Sequence, residues 1–197
     1  MSKSLGNDKQ VFNTDNLIKE AFISLSNEKS FEDITVKDIA ERTPVNRSTF
    51  YSHFEDKFDL LNAFIYDTLM TVISDTINSD TKLTEKTLQD LILIMYDYHQ
   101  YIETNFKKLY KSASVLIDIR VQLKLQDIIL EMLNNIKSFS TDEQEKLELV
   151  TVMLSSGIYC STKRWYSKGS SKDPSSLLKE VLPFMTSGLK SVINDLK

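Results

Sequence analysis

A chain of 197 residues, 41% hydrophobic and 26% charged, has the make-up of a globular protein able to bury a core of its own. A formal net charge of −4 with no polybasic run argues against an arm that grips nucleic acid or anionic membrane by bulk attraction, and a single cysteine excludes an internal disulfide. No apolar run approaches the ~18 residues a membrane span needs, and no apolar segment opens the chain, so a cytoplasmic protein without a signal peptide is expected.

With four glycines, three prolines and no sustained apolar–polar alternation, the predicted elements are all helical. Residues 1–10 are polar and expected to fray. A first helix is predicted over 13–27, with Leu17, Ala21 and Leu25 four apart and Ile18 and Phe22 beside them. A polar linker over 27–33 is interrupted by Phe31. Thr35 then reads as an N-cap, with Asp38 in the acidic position of a capping box and Val36, Ile39 and Ala40 facing inward. Pro44 ends that helix, because the residue before a proline resists the α conformation. Asn46 caps a second short helix over 47–53. A longer one begins near Asp56 and turns Phe58, Leu61, Phe64, Ile65, Leu69, Val72 and Ile73 toward a core.

Four or five further helical segments follow. The segment 84–105 carries Leu88, Leu91, Ile92, Met95, His99 and Ile102 on one side. Residues 106–117 are less regular, and 118–137 present Leu125, Ile128, Ile129, Met132 and Ile136. Thr141, with Gln144 three residues on, is expected to cap a long helix ending near Gly169. Pro174 and Ser175 open the last helix, reaching about Asp195, with a kink expected at Pro183. No internal repeat or low-complexity segment is present.

The short helix over 47–53 divides cleanly on a wheel of ~100° per residue. Phe50 and Phe54 define the buried face, and Val45 packs beside them. Ser48, Thr49 and Ser52 fall opposite, with Arg47, Tyr51 and His53 on the flanks. Small hydroxyl residues let a helix approach base edges, and longer flanking residues reach phosphates. The positive end of the helix dipole favours anions. Thr35 and Lys57 are further candidates for phosphate contact.

The run Thr35-Val36-Lys37-Asp38-Ile39-Ala40, then Val45-Asn46-Arg47-Ser48-Thr49-Phe50-Tyr51-Ser52-His53-Phe54, then Asp56-Lys57 with Leu60-Leu61, resembles the N-terminal signature of TetR-family transcriptional regulators. The match covers about residues 13–65. The resemblance implies a homodimer that represses transcription from a near-palindromic double-stranded operator. It implies a helix-turn-helix domain over 10–57 and a C-terminal helical domain over 58–197 that dimerises and binds a small effector. It carries DNA contact onto Thr35, Arg47, Ser48, Thr49, Tyr51, Ser52, His53 and Lys57, with Asn46 at the helix start included. Two departures stand out. Pro44 occupies the turn where many members have glycine. Residues 1–57 hold eight Lys+Arg against ten Asp+Glu, so binding must lean on local geometry.

In the second half, Tyr96, His99, Tyr110, Arg120, Cys160 and Trp165 are polar-tipped or aromatic residues on apolar helices, candidates for lining a pocket for a small apolar or aromatic effector. A lone histidine makes no metal site, and no metal or cofactor is expected. Gly157, beside two serines, lets another helix approach. With Leu154 and Ile158, and with Leu178, Val181, Leu182, Met185 and Leu189 of a last-helix stripe that runs on to Val192 and Ile193, it forms the expected dimer interface. Two histidines, one cysteine, no Gly-rich phosphate loop and neither a His-Glu-x-x-His nor a Gly-x-Ser-x-Gly motif argue against an enzyme. The alternative kept open is a TetR-like regulator governed by a protein partner, with no small-molecule pocket.

Overall fold

The computed structural model describes residues 4–136, 138–169 and 173–195, and the side chains of 14–136, 138–169 and 173–191. It holds eight α-helices and, among the described residues, no strand: α1 (Ser4–Ser26), α2 (Val36–Arg42), α3 (Arg47–His53), α4 (Lys57–Ile73), α5 (Glu85–Asn105), α6 (Lys107–Asn134), α7 (Thr141–Ser167) and α8 (Pro174–Asp195). The all-helical reading is therefore correct. No helix among the described residues is long and apolar enough to cross a membrane.

Several boundaries differ from expectation, each for a local reason. The first helix starts at Ser4, not near residue 13, since no proline interrupts the polar segment. Ser140, not Thr141, caps α7: its backbone N–H donates to Glu143 Oε2 at 2.7 Å and its hydroxyl accepts from the Glu143 N–H. Two capping boxes overlap here, and the one with a carboxylate wins over Gln144, because a charged acceptor bonds more strongly and suits the helix N-terminus. Gln144 instead donates to Asn134 Oδ1 at 3.1 Å. The break expected before residue 118 is a kink at Ala113 (φ −122°, ψ 18°) inside α6. Gly169 follows α7 with φ 126°, a conformation that favours glycine, and its N–H donates to the Tyr166 carbonyl. Lys137 and the side chains of Val192 and Ile193 lie outside the described residues.

The chain forms two compact units. One comprises Met1–Asp67 with Glu103–Ile117, the other Thr68–Ile102 with Asp118–Lys197. In the first, α1 packs on α2 and α2 on α3. Ile18, Phe22 and Leu25 of α1, Ile39 of α2, Phe50 of α3 and Leu60 of α4 are all at most 2% exposed. Phe31, which the sequence places in a polar linker, is central: its ring meets Phe22 at 6.2 Å and Phe58 at 5.4 Å, edge-on. The α4 stripe is shifted from expectation. Leu60 is buried, whereas Phe58 is 47% exposed. Ala40 and Val36 are half-buried, and Ile39 alone on α2 is fully buried.

In the second unit the expected α5 residues, Leu88 to Ile102, are buried, and Ile94, Tyr96 and Tyr98 on its other sides are buried with them. On α7 the inner face is Leu147, Thr151, Leu154, Ile158 and Thr162. A Cβ at Gly157 would lie 3.0 Å from Met185 Cε, so the glycine does admit α8 closely. α8 runs through Pro183, with Thr186 Oγ1 donating to the Leu182 carbonyl at 2.9 Å.

Candidate nucleic-acid interface

Two capped turns hold the short helices. Thr35 adopts an extended backbone, and its hydroxyl accepts the Asp38 N–H. The Asp38 carboxylate takes the Thr35 N–H at 2.9 Å and its hydroxyl at 2.7 Å, and pairs with Lys29 at 2.8 Å. The Lys29 hydrogen bond, then those from Thr35, pull the Asp38 carboxyl down to about 2. Asn46 Oδ1 accepts the Thr49 N–H at 2.9 Å and its hydroxyl at 3.1 Å. Between the helices, Thr43 and Asn46 are extended, and no non-glycine residue among those described has a positive φ. The turn with Pro44 thus needs no left-handed residue. Thr43 closes it, its hydroxyl accepting the Val45 N–H at 3.2 Å.

The nine residues expected at DNA divide by occupation. Arg47, Ser48, Tyr51 and Ser52 are exposed on one side of α3, Tyr51 at 57%, with its ring edge-on to buried Phe50 at 5.5 Å. Arg47 has no ion pair among the described residues. Thr35, Asn46 and Thr49 are engaged in caps. His53 is half-buried, with Nδ1 2.6 Å from Asp15 Oδ1 on α1. Lys57 Nζ donates to the carbonyls of Phe31, Glu32 and Ile34 at 3.0, 2.7 and 3.0 Å. Sequence reasoning missed Asp15 and Phe31, whose partners lie far along the chain where no local spacing reveals them.

Most cations around α2 and α3 are internally paired. Lys19 pairs with Asp67, Lys37 with Glu41, and Arg42 makes a two-point bond to Glu28, which lowers that carboxyl.

The six effector-pocket candidates are dispersed. Tyr110 belongs to the first unit, the other five to the second. Arg120 and Cys160 are exposed. Tyr96 pairs edge-on with Tyr166 at 5.8 Å, and Trp165 is half-buried. His99 is buried, with Nε2 3.1 Å from Thr162 Oγ1 and its ring 4.9 Å from Tyr159. Burial pushes His99 down to about 4. Tyr159 donates to Asp118 at 2.5 Å, and Lys163 bonds the same carboxylate. A cavity of about 150 Å³ in this unit is lined by other residues, among them Met70, Ile73, Ile77 and Ile128. No cluster among the described residues has the make-up of a metal site.

Two short capped helices joined by a tight turn, the second presenting a polar face, make a helix-turn-helix, the class of fold that reads the DNA major groove. Residues 18–64 match the profile described as "Bacterial regulatory proteins, tetR family", so this N-terminal stretch of the chain is similar to the DNA-binding domain of that family. It is 38% identical over 50 residues to the uncharacterized HTH-type transcriptional regulator YxbF of Bacillus subtilis (strain 168), covering 25% of this chain and 13% of that protein. It is 31% identical over 80 residues to the HTH-type dhaKLM operon transcriptional activator DhaS of Lactococcus lactis subsp. lactis (strain IL1403), covering 41% of this chain and 42% of that one. The matched stretches thus span less than half the length of these curated relatives. A solved structure of the dihydroxyacetone kinase operon activator DhaS shares the fold, with a TM-score of 0.50 at 17% identity over 90% of this chain and 96% of that chain.

Proposed function

We propose that the chain is a cytoplasmic, sequence-specific DNA-binding transcriptional regulator, with a DNA-binding domain over 10–57 and a regulatory and dimerisation domain over 58–197. The observation that carries this reading is the exposed polar side of α3, where Arg47, Ser48, Tyr51 and Ser52 stand together over a buried Phe50. Arg47 and Tyr51 supply reach, Ser48 and Ser52 close approach. The reading assigns the chain no catalytic step. Selection of bound duplexes from a random pool tests it: an enriched half-site repeated as a near-palindrome supports it, and a pool without enrichment overturns it.

The chain is proposed to act as a homodimer through the outer faces of α7 and α8. Leu154, Ile158, Met185 and Leu189, expected at the interface, are buried within the protomer, and Leu178, Val181 and Leu182 are half-buried. The opposite side of α7 carries Leu149 and Met153, 68% and 73% exposed and four residues apart, while Phe184 of α8 is 81% exposed. Apolar side chains this exposed gain from burial against a second copy. Sedimentation of Met153→Glu and Phe184→Glu tests the assignment: monomers support it, wild-type dimers oppose it.

Repression relieved by a small apolar or aromatic effector is the regulatory reading, with the cavity beside Met70 and Ile77 suited to a ligand of a few heavy atoms. The similarity to a named activator favours a second sign of regulation, which a reporter driven from the selected operator decides. Control by a protein partner is supported by Ile119 and Leu123, one turn apart on α6 and 49% and 48% exposed.

A further inference from the structure

We infer that Lys57 is a positioning residue of the helix-turn-helix, fixing the backbone that starts α2 rather than meeting a phosphate. The inference rests on the DNA-binding reading above. Lys57 opens α4, and its ammonium has three N–H donors. All three are matched by the carbonyls of Phe31, Glu32 and Ile34. The same ammonium lies 4.9 Å from the Phe31 ring centroid and 5.8 Å from that of Phe58. Carbonyls of an irregular segment need partners, and here one cation satisfies three of them.

The segment so tied ends at Ile34, immediately before the Thr35 cap of α2. α2 in turn sets the turn through Thr43 and Val45 that delivers α3. The other end of the segment is fixed as well: the Phe31 N–H donates to Ser112 Oγ at 2.9 Å, and Lys108 Nζ to the Glu28 carbonyl at 2.5 Å. Lys57 thus clamps the carbonyls that lead into the α2 cap, while Lys29 pairs with Asp38 inside the cap.

Arginine distinguishes positioning from phosphate contact. Its planar fork keeps the charge but cannot direct three donors from one atom onto three converging carbonyls. Lys57→Arg is therefore expected to lose about tenfold in affinity for the selected operator, the scale of one or two net hydrogen bonds. A phosphate contact would survive that change. Lys57→Met is expected to lose affinity with the salt dependence unchanged, whereas loss of a phosphate contact lowers the slope of log K against log salt by about 0.9. Affinities are measured where circular dichroism shows each variant folded, so loss of stability alone does not mimic the effect. Amide exchange without DNA gives an independent arm. In Lys57→Arg the Ile39 N–H, bonded to the Thr35 carbonyl at 3.2 Å, is expected to exchange faster, with amides of α7 unchanged. Wild-type affinity in Lys57→Arg, a reduced salt slope in Lys57→Met, or unchanged exchange at Ile39 overturns the inference. Failure of the wild-type protein to select any duplex overturns the regulator reading instead, and the exchange arm still decides the role of Lys57 in the α2 start.

Discussion

His53, the last residue of α3, stands with Nδ1 2.6 Å from Asp15 Oδ1, which ties the C-terminal end of α3 to α1. The pair is partly sheltered, His53 at 12% and Asp15 at 33% side-chain exposure. Removing the carboxylate leaves the imidazole without its anchor. Asp15→Ala is expected to weaken operator binding about 3- to 10-fold, the value of one net hydrogen bond, and Asp15→Asn by less. Fluorescence anisotropy with a labelled operator measures both, and equal affinity in Asp15→Ala would sink the role given to the tether.

Tyr51 carries little of the fold. Tyr51→Ala is expected to shift stability by no more than about 0.5 kcal/mol, as for an exposed side chain. Combined with Ser48→Ala it is expected to cost about 1–3 kcal/mol of operator discrimination. Denaturant unfolding and competition binding report the two quantities separately. A double variant that binds as wild type would remove the exposed side of α3 from the DNA.

His99 makes the second unit sensitive to acid. Burial pushes its pKa below the ordinary 6.5 to about 4; Lys163 lowers it further, and the Tyr159 backbone and Asp118 oppose the shift. Between those values the unfolded chain takes up a proton that the folded chain refuses, so stability rises with pH. The contribution is complete above about pH 6.5 and is lost as pH falls toward 4, about 3 kcal/mol in all. Denaturant unfolding at stepped pH should show this slope in the wild type and a flatter one in His99→Gln. Parallel slopes would contradict it.

Gly157 is set against a mobile neighbour. The atom 3.0 Å from a built Cβ is the terminal methyl of Met185, which can move aside. Gly157→Ala is therefore expected to be neutral or to stabilise by up to about 1 kcal/mol through helix propensity. Gly157→Leu overfills the α7–α8 contact and is expected to cost about 1–3 kcal/mol. Thermal melts at one protein concentration compare them, and a sharp loss in Gly157→Ala would show that Met185 cannot yield.

The helix-turn-helix was the most legible part of the chain, because its determinants are local. The Thr35–Asp38 box, the Asn46 cap and the Phe50 anchor each lie within a few residues of what they organise. Distant pairings left no local trace. Lys57 meets carbonyls 23 to 26 residues away, and His53 meets Asp15 across 38. On α7 and α8 the apolar stripe was legible, but not which part of it the protomer itself covers. A stripe shows that a side is apolar but not whether its own protomer already covers it. Leu154 and Ile158 are covered, while Met153 is not. The overlapping boxes at Ser140 and Thr141 were settled by acceptor charge, a difference the spacing alone does not weigh.

The pairing of cations around α2 and α3 bears on how such a protein finds its target. With Lys19, Lys29, Lys37 and Arg42 neutralised in place, little positive field projects toward a generic stretch of duplex. On the DNA-binding reading proposed above, genomic DNA is then expected to retain few copies, search to proceed by repeated short encounters, and operator occupancy to follow the number of molecules per cell.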